Sequence, residues 1–168
     1  AVAGNIVYLG GDFTTVNGQR RWRIAAVDAV TGALLPWAPL VGGQVRALSA
    51  PGGAIGFGGF FQVAGGVAKR NLVALDLRTG QPGKGTPDLG YSVTTLLRLG
   101  DVLVAGGERV LGQIGPDLTA FYVTTGALHP WALESNGAVN ALVSDGQRLY
   151  IGGRFSSISG ALRLNLAA

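Results

Sequence analysis

Three short motifs recur along this 168-residue chain at nearly constant spacing, and this repetition limits its fold more than any other feature. Gly-Gly pairs begin at Gly10, Gly58, Gly106 and Gly152, which are 48, 48 and 46 residues apart. Thr-Gly pairs and Val-x-x-Leu runs each recur three times, at intervals of 48 and 46 residues. Three landmarks with one shared spacing indicate a repeated structural unit rather than chance pairs in a glycine-rich chain.

Each unit is predicted to contain four short β-strands. In the best-defined case the first three strands cover residues 45–49, 55–60 and 72–77, and the second ends on the Gly pair. The fourth strand is the weakest, and the proline within it fits an edge strand, where a missing N–H costs no ladder bond. With 29 Gly and 7 Pro, the composition suits short strands joined by turns and excludes a helical bundle.

Four strands in 46–48 residues are typical of a propeller blade. We therefore expect an all-β fold, a single β-propeller segment over 1–168. Its units are approximately 6–54, 55–102, 103–148 and 149–168, about three and a half blades. A closed propeller has about 4–8 blades. Since open sheet edges are normally avoided, we expect the chain to be a fragment, or partner chains to complete the ring.

The motif order resembles the kelch-type propeller repeat. It is still more similar to a bacterial propeller repeat, mostly of unassigned function, whose units read Gly-Gly-x-Phe, Ala-x-Asp-x-x-Thr-Gly and Pro-Trp. The second unit lacks the Pro-Trp, and the third lacks the Phe and has Tyr122 where Asp28 and Asp76 align. The resemblance implies a propeller but specifies little about function, because propellers host many unrelated roles. The first unit matches best, at Gly10, Gly11, Phe13, Ala26, Asp28, Thr31, Gly32, Pro36 and Trp37.

The composition excludes several kinds of reactive site. The chain has no Cys and one histidine, His129, so it can form no disulfide, thiolate nucleophile, zinc-thiolate site or two-histidine metal site. No spacing suggests two carboxylates facing one substrate atom. We therefore expect no enzymatic activity and no cofactor. No apolar run reaches the roughly 18 residues of a membrane span, so none is expected.

Several recurrent residues have a structural interpretation beside a functional one. The Gly pairs are expected to pack closely against a neighbour, although glycines also cradle phosphates. Asp28 and Asp76 each precede a Thr-Gly by three residues, which favours a turn over a ring of carboxylates around a site. Trp37 and Trp131 are expected to pack between blades rather than stack on sugars.

Basic residues cluster in the predicted loops between second and third strands. Arg21, Lys69 and Arg163 share one repeat position and are expected to form an arc of positive charge, which Asp117 interrupts in the third unit. Such an arc with an exposed tryptophan suits an acidic protein surface or an anionic glycan. With one interleaved aromatic and a net charge of +4, nucleic acid is disfavoured. The alternative is an ordinary solvated loop. The candidate binding residues are Arg20, Arg21, Trp22, Arg23, Lys69, Arg70 and Arg163.

The leading functional hypothesis is a non-catalytic scaffold for protein–protein contacts. Its partners would be other subunits or the remainder of a longer chain. An extracellular or cell-surface location is expected from the context that the resemblance implies and from the absence of Cys. One alternative is a module that binds glycans or other anionic ligands through the basic loops. Another is a subdomain of a larger enzyme whose active residues lie outside this segment.

Overall fold

The secondary structure is entirely β in the computed structural model, which describes residues 1–50, 53–83, 85–109, 117–131 and 133–168. This confirms the all-β class. Within the described residues there is no helix of the length and apolarity that a bilayer span requires. The strands are β1 (Val2–Ala3), β2 (Ile6–Gly10), β3 (Thr15–Val16), β4 (Gln19–Arg20), β5 (Ile24–Asp28), β6 (Val41–Ser49), β7 (Ala54–Ala64), β8 (Val67–Ala68), β9 (Leu72–Asp76), β10 (Ser92–Leu99), β11 (Val102–Glu108), β12 (Leu118–Tyr122), β13 (Ala138–Ser144), β14 (Leu149–Arg154), β15 (Ser157–Ile158), β16 (Ala161–Leu162) and β17 (Leu166–Ala167).

Four small antiparallel sheets follow one another along the described chain. Sheet 1 is β1-β2-β5, and sheet 2 is β6-β7-β9 with β8 beside the end of β7. Sheet 3 is β10-β11-β12, and sheet 4 is β13-β14-β17. The pairs β3–β4 and β15–β16 are separate hairpins. Sheets 2, 3 and 4 each take their first strand from the end of one predicted unit and the next strands from the following unit.

The four sheets repeat the same register. The first glycine of every Gly pair faces an apolar residue of the third strand: Gly10↔Ile24, Gly58↔Leu72, Gly106↔Leu118 and Gly152↔Leu166. In sheets 2, 3 and 4 the first strand also shifts register after the valine of its Val-x-x-Leu run. A β-bulge at the same place increases the local twist in each of these sheets. The sequence spacing therefore corresponds to a structural repeat.

The predicted fourth strand is reduced to one bridge. The third strands of sheets 1, 2 and 3 each form a single antiparallel bridge, with Leu34, Pro82 and Leu128 respectively. Prolines explain why the ladder does not extend, because Pro36 and Pro130 follow two of these bridges and Pro82 is itself the third. The expected four-stranded units are thus three strands plus a bridge.

Three hydrophobic clusters lie between successive sheets. We call the face that a sheet turns to the next one its forward face, and the opposite face its backward face. Tyr8 and Ile24 on the forward face of sheet 1 pack with Ile55, Phe57 and Leu75 on the backward face of sheet 2. Two equivalent clusters join sheet 2 to sheet 3 and sheet 3 to sheet 4. The forward-face residues Ile24, Leu72 and Leu118 share one repeat position, and all three are fully buried.

In sheets 1, 2 and 3 the first glycine of each Gly pair lies directly against the next sheet. A Cβ atom built on Gly58 would lie 2.6 Å from the Cβ of Val93, the first valine of sheet 3. A Cβ on Gly10 or Gly106 would lie equally close, at 2.6 Å, to a Cγ of Val45 or Val139. These distances leave no room for a side chain, which confirms the close-packing interpretation for Gly10, Gly58 and Gly106.

Candidate binding surface

The predicted basic loops are β-hairpins with tight turns. The two turn residues have positive φ in each case, at Asn17-Gly18, Gly65-Gly66 and Ser159-Gly160. Two consecutive residues of positive φ are characteristic of the type I′ turn, which matches the twist of a two-residue hairpin. The hairpins bring their basic residues back toward the end of the second strand. They are therefore regular hairpins, and their second strands, β4, β8 and β16, are exposed.

The shared repeat position of three basic residues is confirmed. The backbone N–H groups of Arg21, Lys69 and Arg163 donate to the carbonyls of Thr14, Gln62 and Ser156, at 2.9, 3.1 and 2.9 Å. Each carbonyl comes seven residues earlier in the chain, across the hairpin. The three side chains nevertheless have different surroundings, which decide whether each one is available to a ligand.

Arg21 is buried, so its guanidinium does not belong to an exposed arc. Its two terminal nitrogens donate to the carbonyls of Arg20 and Leu35, each at 2.8 Å. The second bond fastens the hairpin to the segment after β5. Its Nε has no hydrogen-bond partner among the residues that the structure describes. Burial with two backbone bonds gives this arginine a structural role.

Lys69 has a similar place in the second repeat. Its ammonium donates to the carbonyl of Thr86 at 3.0 Å and lies 4.0 Å from the carboxylate of Asp88. The contacted segment is again the one that follows the third strand. Arg163 is exposed, and its guanidinium donates to the carbonyl of its own neighbour Leu162. Among the three described members of this repeat position, the basic side chains of the first two repeats bond to the segment after the third strand, and that of Arg163 bonds to its own neighbour.

The first hairpin carries a small aromatic and cationic cluster. The guanidinium of Arg20 lies over the ring of Trp22, 5.2 Å from its centroid, and that of Arg23 lies 6.0 Å away. Arg23 also pairs with Asp12 at 3.4 Å. Arg20 is exposed, whereas Trp22 is half-buried beneath it. One face of the indole is therefore already covered by a cation.

Arg70 is exposed, and only its backbone is fixed by local bonds. Its N–H donates to Asp88 at 3.0 Å, and its carbonyl accepts bonds from Leu72 and Leu89. Of the seven candidate residues, Arg20, Arg70 and Arg163 therefore hold exposed side chains on different hairpins. Whether they bind a ligand remains a prediction.

Asp117 does not occupy the position assigned to it in the third repeat. Its carbonyl accepts a bond from the second glycine of its pair, Gly107, as the carbonyl of Asn71 does from Gly59. It is thus equivalent to Asn71 rather than to Lys69, and the residue equivalent to Lys69 lies in 110–116, outside the described residues. Burial raises the pKa of the Asp117 carboxyl, while Arg109, 3.1 Å away, opposes that shift.

The turn interpretation of the recurring aspartates is confirmed. Asp28 accepts bonds from the N–H and hydroxyl of Thr31, at 2.8 and 2.9 Å, and from the N–H of Val30. Asp76 has the same set of bonds in the second repeat. The Thr31 N–H, with these other bonds, holds the pKa of Asp28 below its usual range. These carboxylates are therefore committed to their own turns.

The two equivalent tryptophans differ in environment. Trp37 packs edge-on against Tyr8 with ring centroids 5.4 Å apart, at the margin of the first cluster, as expected. Trp131 is 44% exposed, so the expectation of a packed ring is wrong for it. Its ring instead lies edge-on to that of His129, 4.6 Å away, and His129 contacts Tyr122 at 4.9 Å. In the described part of the chain no three His, Asp or Glu side chains are grouped as metal ligands.

An exposed apolar face on sheet 4 is the feature that sequence reasoning missed. Leu166 holds the repeat position of the buried Ile24, Leu72 and Leu118, yet it is 65% exposed. A Cβ atom on Gly152 would meet only Ala141 of its own sheet, at 3.7 Å, where the equivalent glycines meet a valine of the next sheet. The aligned repeats identify Leu166 as the fourth member of this series, but its exposure depends on its surroundings and not on its residue type.

Comparisons with known proteins define the fold and not the activity. No protein-family model matches the chain, and no curated protein matches it. Among solved structures, the chain is similar to the computationally designed Ika4 protein, with a TM-score of 0.63 and 19% identity over 94% of this chain and 85% of that one. It is also similar to the designed Ika8 protein, with a TM-score of 0.61 and 19% identity, but spans 43% of that chain. At these identities the likeness concerns the fold alone.

Proposed function

We propose that this chain is a β-propeller segment, with sheets 1 to 4 as its blades, and that it serves as a non-catalytic scaffold for protein contacts. The repeat of register and the equivalent clusters between successive sheets support the propeller proposal. A blade array is rigid because each sheet is held by its neighbour. Rigid arrays suit presentation of a surface to a partner.

One observation carries the scaffold proposal: the forward face of sheet 4 is apolar and exposed. Leu166 is 65% exposed at a position that is fully buried in the other three sheets. Val143 in the same sheet, Leu162 in the β15–β16 hairpin and Leu164 between that hairpin and β17 are also largely exposed. Large apolar side chains that are exposed in number mark contact sites when they form one surface. This face corresponds in repeat position to the forward faces of sheets 1, 2 and 3, each of which is buried against the next sheet.

Site-specific photocrosslinking in the cells that produce the chain tests this proposal. A photoreactive amino acid in place of Leu166 is expected to form a covalent adduct with a protein. The same amino acid in place of Val30, which is 77% exposed in the first Asp-Thr-Gly turn, is the matched control and should give none. Absence of an adduct at Leu166, or equal adducts at both positions, would contradict a protein-contact role for sheet 4.

Binding of an anionic ligand is the second candidate function, favoured by the exposed Arg20 stacked on Trp22. A sulfated polysaccharide such as heparin is the appropriate probe, because surface cations bind it with strong salt dependence. Arg20→Ala and Arg70→Ala should weaken retention on such a column while Arg21→Ala mainly lowers stability. Retention that is unchanged in both surface variants would eliminate this candidate.

Three further hypotheses from the sequence are retained as proposals. They are membership of the kelch-like bacterial repeat, an extracellular or cell-surface location, and the alternative of an enzyme subdomain. The motifs support the first through Gly10-Gly11, Asp28 and Thr31-Gly32. The location would be tested by fractionating the producing cells and probing for the chain.

A further inference from the structure

The chain carries both halves of the interface that it forms three times internally. The forward half is the open face of sheet 4, described above. The backward half is on sheet 1, where Val7, Leu9 and Val27 are only half-buried and belong to none of the three hydrophobic clusters. Their equivalents in sheet 2 are Ile55, Phe57 and Leu75, which are fully buried against sheet 1.

We infer that the forward face of sheet 4 packs against the backward face of sheet 1 in a second copy of this chain. This inference rests on the proposed protein-contact function and names its partner. A contact between two different faces of identical chains is head-to-tail, and such contacts build closed rings or filaments. The contact would continue the stacking of sheets from one molecule to the next, and it would bury apolar surfaces like those between the sheets of one chain.

Charges at the rim of the sheets support the same pairing. Glu108 of sheet 3 pairs with Arg154 of sheet 4 at 3.1 Å, and the two residues hold the same repeat position in consecutive sheets. The residue at this position in sheet 1 is Asp12, since the neighbouring Phe13 and Phe61 accept equivalent backbone bonds from Arg23 and Asn71. The head-to-tail contact therefore brings Arg154 toward Asp12 of the second copy.

These two groups are of opposite sign and accessible. The Arg154 side chain is 74% exposed despite its bond to Glu108, and the Asp12 side chain is 67% exposed despite its contact with Arg23. A pairing of Arg154 with Asp12 would again join an acidic and a basic residue of the same repeat position in adjacent sheets, with the acidic residue now on the following sheet. Charge complementarity of this kind fixes the register of an interface more than it strengthens it.

Sedimentation equilibrium of the purified chain over a concentration series tests the inference. We expect self-association at micromolar concentrations, and a chain that is monomeric at about 100 µM would overturn it. Leu166→Glu should raise the dissociation constant at least about tenfold, as expected for a central apolar contact. Val30→Glu, an equally exposed substitution outside both faces, should leave it unchanged. Association that persists unchanged in Leu166→Glu would also overturn the inference.

A charge-reversal cycle tests whether the contact is head-to-tail. Arg154→Glu and Asp12→Arg should each weaken association, and the double variant should restore it, because the two charges meet across the interface. Each reversal also breaks an intramolecular ion pair, with Glu108 or with Arg23, so the stability of the dilute protein is measured for every variant and should change by about 1 kcal/mol or less. Failure of the double variant to recover would reject this pairing. A monomeric chain that still crosslinks through position 166 to a different protein would reject self-association and retain the protein-contact function.

Discussion

Adding a single methyl group to the Gly pairs distinguishes covered from open sheets. Gly58 and Gly152 hold the same position in sheets 2 and 4, and neither has a positive φ, so alanine is permitted by the backbone at both. The surroundings differ: sheet 3 covers Gly58, while no further sheet covers Gly152. Gly58→Ala and Gly152→Ala are therefore a matched pair of variants that differ in neighbours alone.

The expected magnitudes follow from the distances. A Cβ on Gly58 would lie 2.6 Å from the Cβ of Val93, which is attached to the backbone and cannot rotate away. Overpacking of this kind costs about 1–3 kcal/mol, which for a domain of this size lowers the melting temperature by about 2–12 °C. A Cβ on Gly152 meets only Ala141 at an ordinary 3.7 Å. Gly152→Ala should change stability by less than about 0.5 kcal/mol.

Thermal and guanidinium unfolding of dilute protein, followed by circular dichroism, measures both variants. Gly106→Ala, whose Cβ would lie 2.6 Å from Val139, should behave like Gly58→Ala and serves as a second covered position. Equal loss of stability in all three variants would refute the distinction between covered and open faces. A neutral Gly58→Ala would refute the close approach of sheets 2 and 3.

Three other substitutions have expected outcomes. Asp28→Asn should lower the melting temperature at pH 7, and the difference from the parent should vanish as the pH falls through the lowered pKa of the Asp28 carboxyl, because this carboxyl stabilises the fold only while it is ionised. A deficit that persists unchanged in acid would contradict this. Arg109→Ala leaves the buried Asp117 carboxylate without its partner and should cost about 1–3 kcal/mol at pH 7. Since the pKa of Asp117 is raised, stability falls as pH rises through it, so this deficit should shrink in acid; chemical denaturation at pH 7 and 4 measures it. Trp37→Ala should cost about 3 kcal/mol and Trp131→Ala about 1, because only Trp37 packs at a cluster margin; equal losses in urea would contradict their different burial.

The repeat made the order and type of the strands predictable from sequence. The spacing of the Gly pairs located the second strands, because only a residue without a side chain fits at Gly10, Gly58 and Gly106. The Asp-x-x-Thr-Gly motif located the turns, because its aspartate accepts N–H bonds from the residues that follow it. The fourth strand was overestimated, since a proline such as Pro82 supports a single bridge but not a ladder.

The surroundings of individual side chains could not be predicted from the same patterns. Arg21 is basic and lies in a predicted loop, yet its side chain is buried. Its guanidinium donates to the carbonyl of Leu35, a contact that the local sequence does not indicate. Trp131 aligns with Trp37 but remains exposed. Burial depends on whether another sheet covers a position, and Leu166 has the same residue type as Leu72 in a different environment.

Thiol accessibility measures the stacking of the sheets most directly, because the natural chain contains no Cys to interfere. Single cysteines would replace Ile24, Leu72, Leu118 and Leu166, and a thiol reagent would be added to dilute folded protein. We predict that the first three thiols react only on unfolding and that the thiol at position 166 reacts as rapidly as one in the unfolded chain. If the thiol at position 72 reacted at the rate found at position 166, the account would be contradicted, because sheet 3 would then not bury the forward face of sheet 2.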